Sequence, residues 1–400
     1  MKSLAVVALA SSILALPAAA QDTVSAPIDT SYVEYHDSPI TLPLGIGLRA
    51  PVYDRVNGLT LPWGPRLVLG EEKLIVDALV SYRSNLGNWD PSIEATAKPG
   101  YADEVRIFVG RSTFTNDGWI RGDLVNSAAS LFVGSDARNY WRGDRVSAKY
   151  SRAFTTKAFT VTPSLGGNLE SDWSTGSLVP TKTPWSFYGR TGDQRMRRPN
   201  PPVVRRHIGS FLGGLGVSYF ADGVEAKIDG NLEIAGSSGS DVLCAAVPPA
   251  GCPQAFPGFS QTTVHSEAQF PTFGTQTFTF RAHALLSSGR IPPPQRYGYL
   301  GGAGSLATVN LLALGGDRLL YVEGDYKIPL RVFQLPFLGG PFVALHYAAG
   351  NAGVGGLPAL IQNVGIGVGV GMLRVDYAID PASNRSPFSR RSAVTFGLSL

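Results

Sequence analysis

The stretch NVGIGVGVGMLRVDYAID, residues 363–380, alternates apolar residues with glycine or charged residues at a period of two. A dinucleotide-binding loop spaces its glycines unevenly and then begins a helix, so this pattern does not predict a phosphate site. A period of two is typical of a β-strand with two unlike faces. The apolar parity changes between Met372 and Leu373, which predicts a turn or a bulge there. The stretch therefore predicts two successive strands, each with one apolar face.

Segments of the same kind, bounded by turn residues, recur along the chain, and we count about sixteen of them. They span 56–69, 72–84, 88–99, 104–115, 124–134, 141–155, 159–173, 205–220, 224–236, 262–273, 276–289, 317–330, 340–349, 361–370, 372–379 and 392–400. Connections after odd-numbered segments are mostly long, and those after even-numbered segments are mostly short. Bacterial membrane barrels show this asymmetry, with short periplasmic turns and longer external loops.

The composition favours a membrane barrel over a soluble protein. Charged residues make up 16% of the chain, against about 25% in soluble domains, and 47 residues are glycine. After the N-terminal apolar run, no apolar stretch of about 18 residues predicts a membrane-spanning helix. A barrel of about sixteen strands is too wide for side chains to fill, so its apolar face is expected to meet lipid. We therefore predict an all-β fold, a transmembrane antiparallel β-barrel with a polar lumen; the alternative is a secreted β-sandwich or propeller.

The N-terminus predicts export. Residues 1–20 have the pattern of a secretory signal peptide, since Lys2 precedes an apolar run that ends in three alanines. We assign residues 21–55 to a short N-terminal periplasmic segment and residues 56–400 to a barrel in the bacterial outer membrane, surrounded by its lipid. The alternating C-terminal segment is similar to the signal read by the barrel-assembly machinery, an expected partner during biogenesis. The net charge of +4 gives no reason to expect a nucleic-acid partner.

Two connections carry distinctive side chains. Cys244 and Cys252 lie in a short loop rich in proline and glycine, which in an oxidising compartment favours a local disulfide over two free thiols. Neither the cysteines nor the five histidines have the spacing of a metal site, so no metal or other cofactor is expected. Residues 188–206 contain six arginines, which predict either binding of lipopolysaccharide phosphates or an ordinary solvated loop.

Residues 296–330 read RYGYLGGAGSLATVNLLALGGDRLLYVEGDYKIPL. They resemble the sixth external loop and twelfth strand of the outer-membrane insertase and two-partner-secretion superfamily, also called the bacterial surface antigen family. The resemblance implies a barrel of about sixteen strands whose lumen is partly filled by that loop. No long segment precedes the first strand, so the chain is expected to resemble the branch without POTRA domains. The matching loop residues are Arg296, Tyr297, Leu300, Gly301, Gly302, Ser305 and Leu306.

One part of the family pattern is missing. The resemblance places a loop arginine at Ala307 and its acidic partner, on the thirteenth strand, at Ala348. Losing both partners costs less than leaving one buried charge unpaired. We therefore expect the loop to be held mainly by glycine-rich backbone packing and by neighbouring lumen charges.

Charged side chains also fall on the predicted lumen face of the later strands. We expect them to form a cross-strand network that stiffens the wall or filters solutes. No motif of a known catalytic site occurs, so the protein is not expected to be an enzyme. The resemblance implies outer-membrane assembly or transport, acting on another outer-membrane or surface protein; the alternative is a passive or gated pore for small solutes. The predicted lumen residues are Arg281, His283, Glu323, Asp325, Lys327, Arg374 and Asp376.

Overall fold

Antiparallel strands form most of the chain in the computed structural model, which describes residues 40–175, 198–201, 203, 206–238, 258–330, 340–371, 373–382 and 388–398. The predicted signal peptide, both cysteines and most of the arginine-rich segment lie outside these residues. The cleavage site and the disulfide therefore stay predictions.

In chain order, the strands are β1 (Ile40–Thr41), β2 (Val52–Asp54), β3 (Gly58–Trp63), β4 (Arg66–Leu69), β5 (Leu74–Arg83), β6 (Asn88–Ala97), β7 (Asp103–Phe114), β8 (Trp141–Arg152), β9 (Phe154–Thr155), β10 (Phe159–Trp173), β11 (Arg206–Ala221), β12 (Val224–Ser238), β13 (Gly258–Pro271), β14 (Thr277–Ser288), β15 (Gly298–Leu300), β16 (Leu314–Gly316), β17 (Arg318–Pro329), β18 (Pro341–Gly353), β19 (Ile361–Val370), β20 (Leu373–Ile379) and β21 (Ser392–Leu398). Within the described ranges, one α-helix, α1, spans Asp123–Ala128.

Each wall strand pairs antiparallel with the next one along the chain, so the sheet is a continuous meander. Pairing runs from β3 and β4 to β5, then strand by strand to β14, which pairs with β17, and on to β21. The turn between β11 and β12 has positive φ at both central residues, 54° at Asp222 and 76° at Gly223. Such a two-residue turn matches the twist of the strands it connects and fixes their register.

The predicted strand 124–134 is wrong. These residues form α1 and then a wide helical turn, Ala129–Val133. A short apolar run fits both a strand and a helix, and here the buried side chains, Asn126 and Ser130, lie four residues apart on one helical side. Within the described ranges, no helix is long and apolar enough to cross a membrane.

Residues 40–54 form the edge of the sheet next to β3 and β4. β1 pairs with β4, Leu48 lies opposite Trp63 in a single bridge, and β2 pairs with β3. The described sheet has sixteen strand positions, because β1 with β2, β3 with β4, and β8 with β9 each form one interrupted strand. The strand formed by β1 and β2 was not among the predicted strands, whereas 124–134 was predicted and is not a strand, so the total of sixteen is unchanged. Among the described residues, no backbone pairing joins β21 to this first strand.

The two faces of the sheet differ as the alternation predicts. On β19 and β20, the apolar side chains at alternate positions are exposed, by 48% for Ile366, 55% for Val368 and 49% for Tyr377. The intervening positions hold glycine or charged residues, such as Arg374 and Asp376, on the opposite side. This arrangement is that of a transmembrane β-barrel, with apolar side chains outward and polar side chains inward.

A charge should cost far more on the outer face than on the inner one. Ile366→Arg places a guanidinium in the middle of the apolar face and should reduce the free energy of unfolding by about 2–4 kcal/mol. Thr395→Arg, inward on β21 beside Asp376, should cost less than about 1 kcal/mol. Unfolding from lipid vesicles, followed by tryptophan fluorescence, measures both values, and equal costs would contradict the assignment of the faces.

Candidate functional site in the barrel lumen

Residues 289–317, which we call the lumen loop, connect β14 to β17 and cover part of the inner face of the wall. β15 and β16 pair with each other within this loop and form a small separate sheet. Leu300 and Leu306 have no exposed surface and pack in one apolar cluster with Leu285 of β14 and Tyr321 of β17. Apolar burial therefore fixes the loop against these two strands.

The motif residues Gly301, Gly302, Ser305 and Leu306 fold the tip of the lumen loop into a tight turn. Gly301 has φ 123°, and a Cβ there would lie 2.1 Å from the carbonyl oxygen of Asn310, so only glycine fits. The Ser305 hydroxyl accepts a hydrogen bond from the Gly301 N–H at 3.0 Å. The Gly302 N–H donates to the Leu306 carbonyl oxygen, also at 3.0 Å. The predicted motif thus determines the shape of the tip.

Arg296 attaches the base of the lumen loop to three carboxylates of the wall. Its buried guanidinium pairs with Glu170 of β10 and, at 3.1 Å, with Glu233 of β12, and Asp172 lies 3.9 Å away. Burial lowers the pKa of Arg296, but the attraction of the three carboxylates is larger and raises it above its ordinary value. The guanidinium therefore stays charged. We call these four residues the arginine cluster.

A second guanidinium supports the arginine cluster. Arg145 of β8 contacts Glu170 at 2.7 Å and lies 3.6 Å from the ring centre of Phe114. The Asn168 side-chain amide donates to the same carboxylate at 2.8 Å. Each oxygen of Glu170 therefore has a charged or polar partner, as a buried carboxylate requires.

Two neutral side chains hold the tip of the lumen loop. The Thr308 N–H donates to Asn363 Oδ1 at 3.0 Å, and Asn363 Nδ2 donates to the Thr308 hydroxyl at 2.7 Å. Both residues are buried. Asn363 lies on β19, in register with Ala348 of β18, the position at which the family resemblance places the missing acid. We call the Thr308–Asn363 pair the neutral latch; it adds a side-chain attachment to the glycine-rich packing that the sequence predicts.

Backbone hydrogen bonds join the tip to the connection between β20 and β21. The Asn310 N–H donates to the Phe388 carbonyl oxygen at 2.9 Å, and the Arg390 N–H donates to the Thr308 carbonyl oxygen at 2.8 Å. Between these bonds, Val309 lies opposite another residue of that connection in a single antiparallel bridge. The tip is therefore attached to β19 by side chains and to the segment before the last strand by backbone.

The connection between β7 and β8, residues 115–140, lies against the lumen loop, and we call it the cap segment. The Arg121 guanidinium donates to the Ala303 carbonyl oxygen at 3.0 Å. The Asn116 amide donates to the Gln295 carbonyl oxygen at 2.7 Å. The cap segment thus contacts both the tip and the base of the loop.

Arg198, from the arginine-rich segment, is also bound to the cap segment. Its guanidinium donates to the Asn139 side chain and, at 2.8 Å, to the Arg138 carbonyl oxygen. This arginine therefore binds protein groups, and the hypothesis of lipopolysaccharide binding rests on the other five arginines of the segment.

Aromatic stacking joins the cap segment to the wall. The Trp119 ring stacks on His283, with 4.2 Å between ring centres and 14° between the planes, and lies 5.3 Å from the ring of Tyr321. His283, grouped with the lumen charges by sequence, is therefore held in a buried ring contact. In the same segment, burial raises the pKa of Asp117 to about 7, so this carboxyl group carries a proton in part of the molecules at neutral pH.

Five of the predicted lumen charges form ion pairs. Arg281 of β14 pairs with Glu323 of β17. Arg374 of β20 binds Asp325 of β17 through two nitrogens, at 2.6 and 2.8 Å, and Asp376 on its own strand at 2.6 Å. The bidentate pair reaches across the two strands that separate β17 from β20 and so stiffens this part of the wall.

A glycine makes that reach possible. A Cβ at Gly367 would lie 2.3 Å from Asp376 Oδ1 and 3.0 Å from Arg374 Nε, so a larger residue would displace the pair. Lys327, the remaining predicted lumen charge, has a different contact: its ammonium group lies 4.3 Å from the ring centre of Phe342.

Sequence reasoning did not identify the carboxylates of the arginine cluster or the neutral latch. Glu170 and Asp172 lie two residues apart in the predicted strand 159–173, so the sequence predicts that both face the same side. Their shared partner, Arg296, was also singled out, but only the register across five strands brings the two together. Asn363 is the first residue of the alternating stretch 363–380, and nothing in the pattern distinguishes it from the glycines that follow on the same face.

The lumen loop fills the lumen only in part. A cavity of about 360 Å³ lies beside the arginine cluster and is lined partly by Trp141 and Asn168. A second cavity, of about 340 Å³, shares Lys149, Ser164 and Asn231 with the first. Together they form a polar space along β7 to β14. The described residues contain no group of three histidine, cysteine or acidic side chains that could hold a metal ion.

Comparison with solved structures supports the fold. No protein-family model matches the chain, and no curated protein matches it in sequence. BamA from Haemophilus ducreyi lacking POTRA domains 1–3 has a TM-score of 0.50 and 10% identity, over 87% of this chain and 69% of that one. CdiB from Escherichia coli has 0.48 and 13%, over 88% and 60% of the two chains. CdiB from Acinetobacter baumannii has 0.47 and 10%, over 87% and 58%.

The similarity to BamA agrees with the fold that the sequence predicts. The chain spans about 60% of the length of the two CdiB chains. At 10% identity, the similarity to BamA extends to the transmembrane β-barrel and not to any activity.

Removing Arg296 should destabilise the protein strongly. Arg296→Met leaves the carboxylates of the arginine cluster without their main counter-charge and should reduce the free energy of unfolding by about 3–5 kcal/mol. Adding Glu170→Gln should recover part of the loss, since one unpaired charge is removed. Arg106→Met, at an exposed lumen arginine, is the matched control and should change stability by less than about 1 kcal/mol. Urea unfolding measures all three, and equal losses at Arg296 and Arg106 would show that the cluster contributes little.

Breaking the neutral latch should loosen the tip locally. Asn363→Ala leaves the buried N–H and hydroxyl of Thr308 without a partner and should cost about 1–3 kcal/mol. In a double-mutant cycle with Thr308→Ala, the coupling energy should be about 0.5–3 kcal/mol. Hydrogen exchange should accelerate in residues 303–312 for Asn363→Ala but not for Gln362→Ala, the exposed neighbour. Unchanged exchange in the first variant would mean that backbone packing alone holds the tip.

Proposed function

We propose that this chain is an outer-membrane β-barrel of the assembly or translocation type, in which movement of the lumen loop opens the lumen. The observation that carries the proposal is the neutral latch beside Ala348, since the resembled superfamily holds its sixth loop at that position. The outward apolar face and the similarity to BamA support the outer-membrane location. The implied partners are outer-membrane lipid, the barrel-assembly machinery during biogenesis, and a client outer-membrane or surface protein.

The two attachments of the lumen loop differ in strength. Removing one partner of a buried charge pair costs about 3–5 kcal/mol, because the other charge is left uncompensated. Leaving a buried neutral group without its partner costs only about 1–3 kcal/mol, so the side-chain attachment of the tip is the weaker of the two. The lumen loop can therefore open at its tip while its base stays attached to β10 and β12. A client segment that offers backbone hydrogen bonds could replace those between the tip and residues 388–390.

The test measures folding of a client. Vesicles containing the purified protein receive a chemically unfolded outer-membrane porin, and the folded fraction is followed by heat-modifiable gel mobility. The wild-type protein should accelerate folding relative to empty vesicles, and Asn363→Ala should change that rate while Gln362→Ala does not. If neither the wild type nor Asn363→Ala accelerates folding, the assembly proposal fails.

A gated pore for small solutes is the second candidate. The two adjoining cavities favour it, as does Lys149, which lines both and makes no ion pair among the described residues. A pore predicts a steady current across planar bilayers in the absence of any client, and a larger current when the latch is broken. A current of this kind without acceleration of client folding would favour the pore over the assembly barrel.

A further inference from the structure

A depression lies on the outer face of the wall, on the side of the sheet opposite the lumen loop. Its volume is about 920 Å³. One row of outward positions, in register across five strands, forms its floor. The row consists of Val109, Val146, Leu169, Gly209 and Gly236.

The orientation of this row follows from exposure. Leu169 is 66% exposed and Val146 is 49% exposed, whereas the alternate residues Ile208 and Ala235 face inward and are buried. The depression exists because Gly209 and its neighbour on β12 have no side chains between apolar residues on either side. It is therefore an apolar groove open to whatever surrounds the outer wall.

A polar row borders the groove at its upper end, toward the cap segment. Arg111 of β7 binds Asp144 of β8 through two nitrogens, at 2.8 and 2.9 Å, and both side chains stay nearly half exposed. Ser171 and His207 continue the row on β10 and β11 and also line the depression. The Arg111 guanidinium lies 5.2 Å from the ring centre of Trp173, one row further out.

The polar row marks a membrane interface. A charged pair facing hydrocarbon would be costly, whereas tryptophan and charged groups are favourable at the headgroup level. From Gly209 to Tyr219, β11 provides about eleven residues, the length that a tilted strand needs to cross the hydrocarbon layer. The groove therefore lies at the outer end of the hydrocarbon layer, with the polar row at headgroup depth.

We propose that the groove binds one phospholipid with a phosphoethanolamine headgroup. Its phosphate would accept hydrogen bonds from Arg111, and its ammonium group would donate to Asp144, so the ion pair complements both charges of the headgroup. An acyl chain would fill the space left by the two glycines. A lipid that carries only negative charge would leave the Asp144 carboxylate unpaired, and a choline headgroup has no N–H to donate.

Native mass spectrometry of the full chain, delipidated in mild detergent, tests the proposal with one lipid added at a time. Phosphatidylethanolamine should bind as a single copy and about tenfold more tightly than phosphatidylglycerol or phosphatidylcholine, a difference of about 1.4 kcal/mol. Lipopolysaccharide is the fourth probe, and it should not displace the bound phosphatidylethanolamine. Asp144→Asn should remove the preference for ethanolamine while leaving binding of phosphatidylglycerol unchanged or stronger.

A variant that fills the groove tests whether the lipid binds there or elsewhere on the outer wall. A Cβ at Gly209 would make only an ordinary contact with Leu169, at 3.4 Å, so Gly209→Leu should fold and abolish retention of the lipid. Gly213 is the outward glycine four residues further on, and a Cβ there would make one ordinary contact, at 4.0 Å with Leu232, so Gly213→Leu should fold and retain the lipid. The proposal is overturned if both variants retain the lipid equally or if all lipids bind with equal affinity. It is also overturned if no lipid is retained, and the groove would then be left to a partner protein or a second copy.

Discussion

The burial of Arg296 among three wall carboxylates constrains much of the lumen. A buried guanidinium without a counter-charge costs several kcal/mol, and so do buried carboxylates without a cation, so neither can be placed there alone. Glu170 and Asp172 on β10 and Glu233 on β12 must therefore face inward, within reach of the guanidinium. The registers of β10 with β11 and of β11 with β12 are uninterrupted, which keeps the three carboxylates on one face of the sheet. Once the base of the lumen loop is fixed in this way, its length determines which strands the tip can reach.

The tip reaches a place where a charged pair would be unfavourable. Ala348 belongs to the apolar cluster that also contains Leu306 and Val309, so an acid at that position would be surrounded by apolar side chains. The N–H and the hydroxyl of Thr308 at the tip instead bind Asn363, one strand further on, through two neutral hydrogen bonds. The loop therefore has a charged attachment at its base and a neutral one at its tip.

Alternation alone predicted most of the fold, because each strand buries or exposes every second residue and the sequence records this directly. The segment 124–134 shows where that method fails: over so few residues, leucine, alanine and phenylalanine fit a helix as well as a strand. For the lumen site, the glycine motif was readable because Gly301 must adopt a positive φ. The partners of Arg296 were not readable, since they depend on the register of strands that lie far from it in sequence. Asn363 was hidden for the same reason, because its role comes from a loop that no local pattern places beside it.

The backbone bonds of the tip connect the lumen to the end of the sheet. Thr308 and Asn310 pair with residues 388–390, and Ser392 begins β21 directly after them. On its other side, β21 has no backbone pairing with the first strand among the described residues. Withdrawal of the tip would break the hydrogen bonds that the Arg390 N–H donates and that the Phe388 carbonyl accepts, and water in an opened lumen could replace the tip. Opening of the loop and loosening of the segment before β21 therefore share the same hydrogen bonds, so neither can occur without changing the cost of the other.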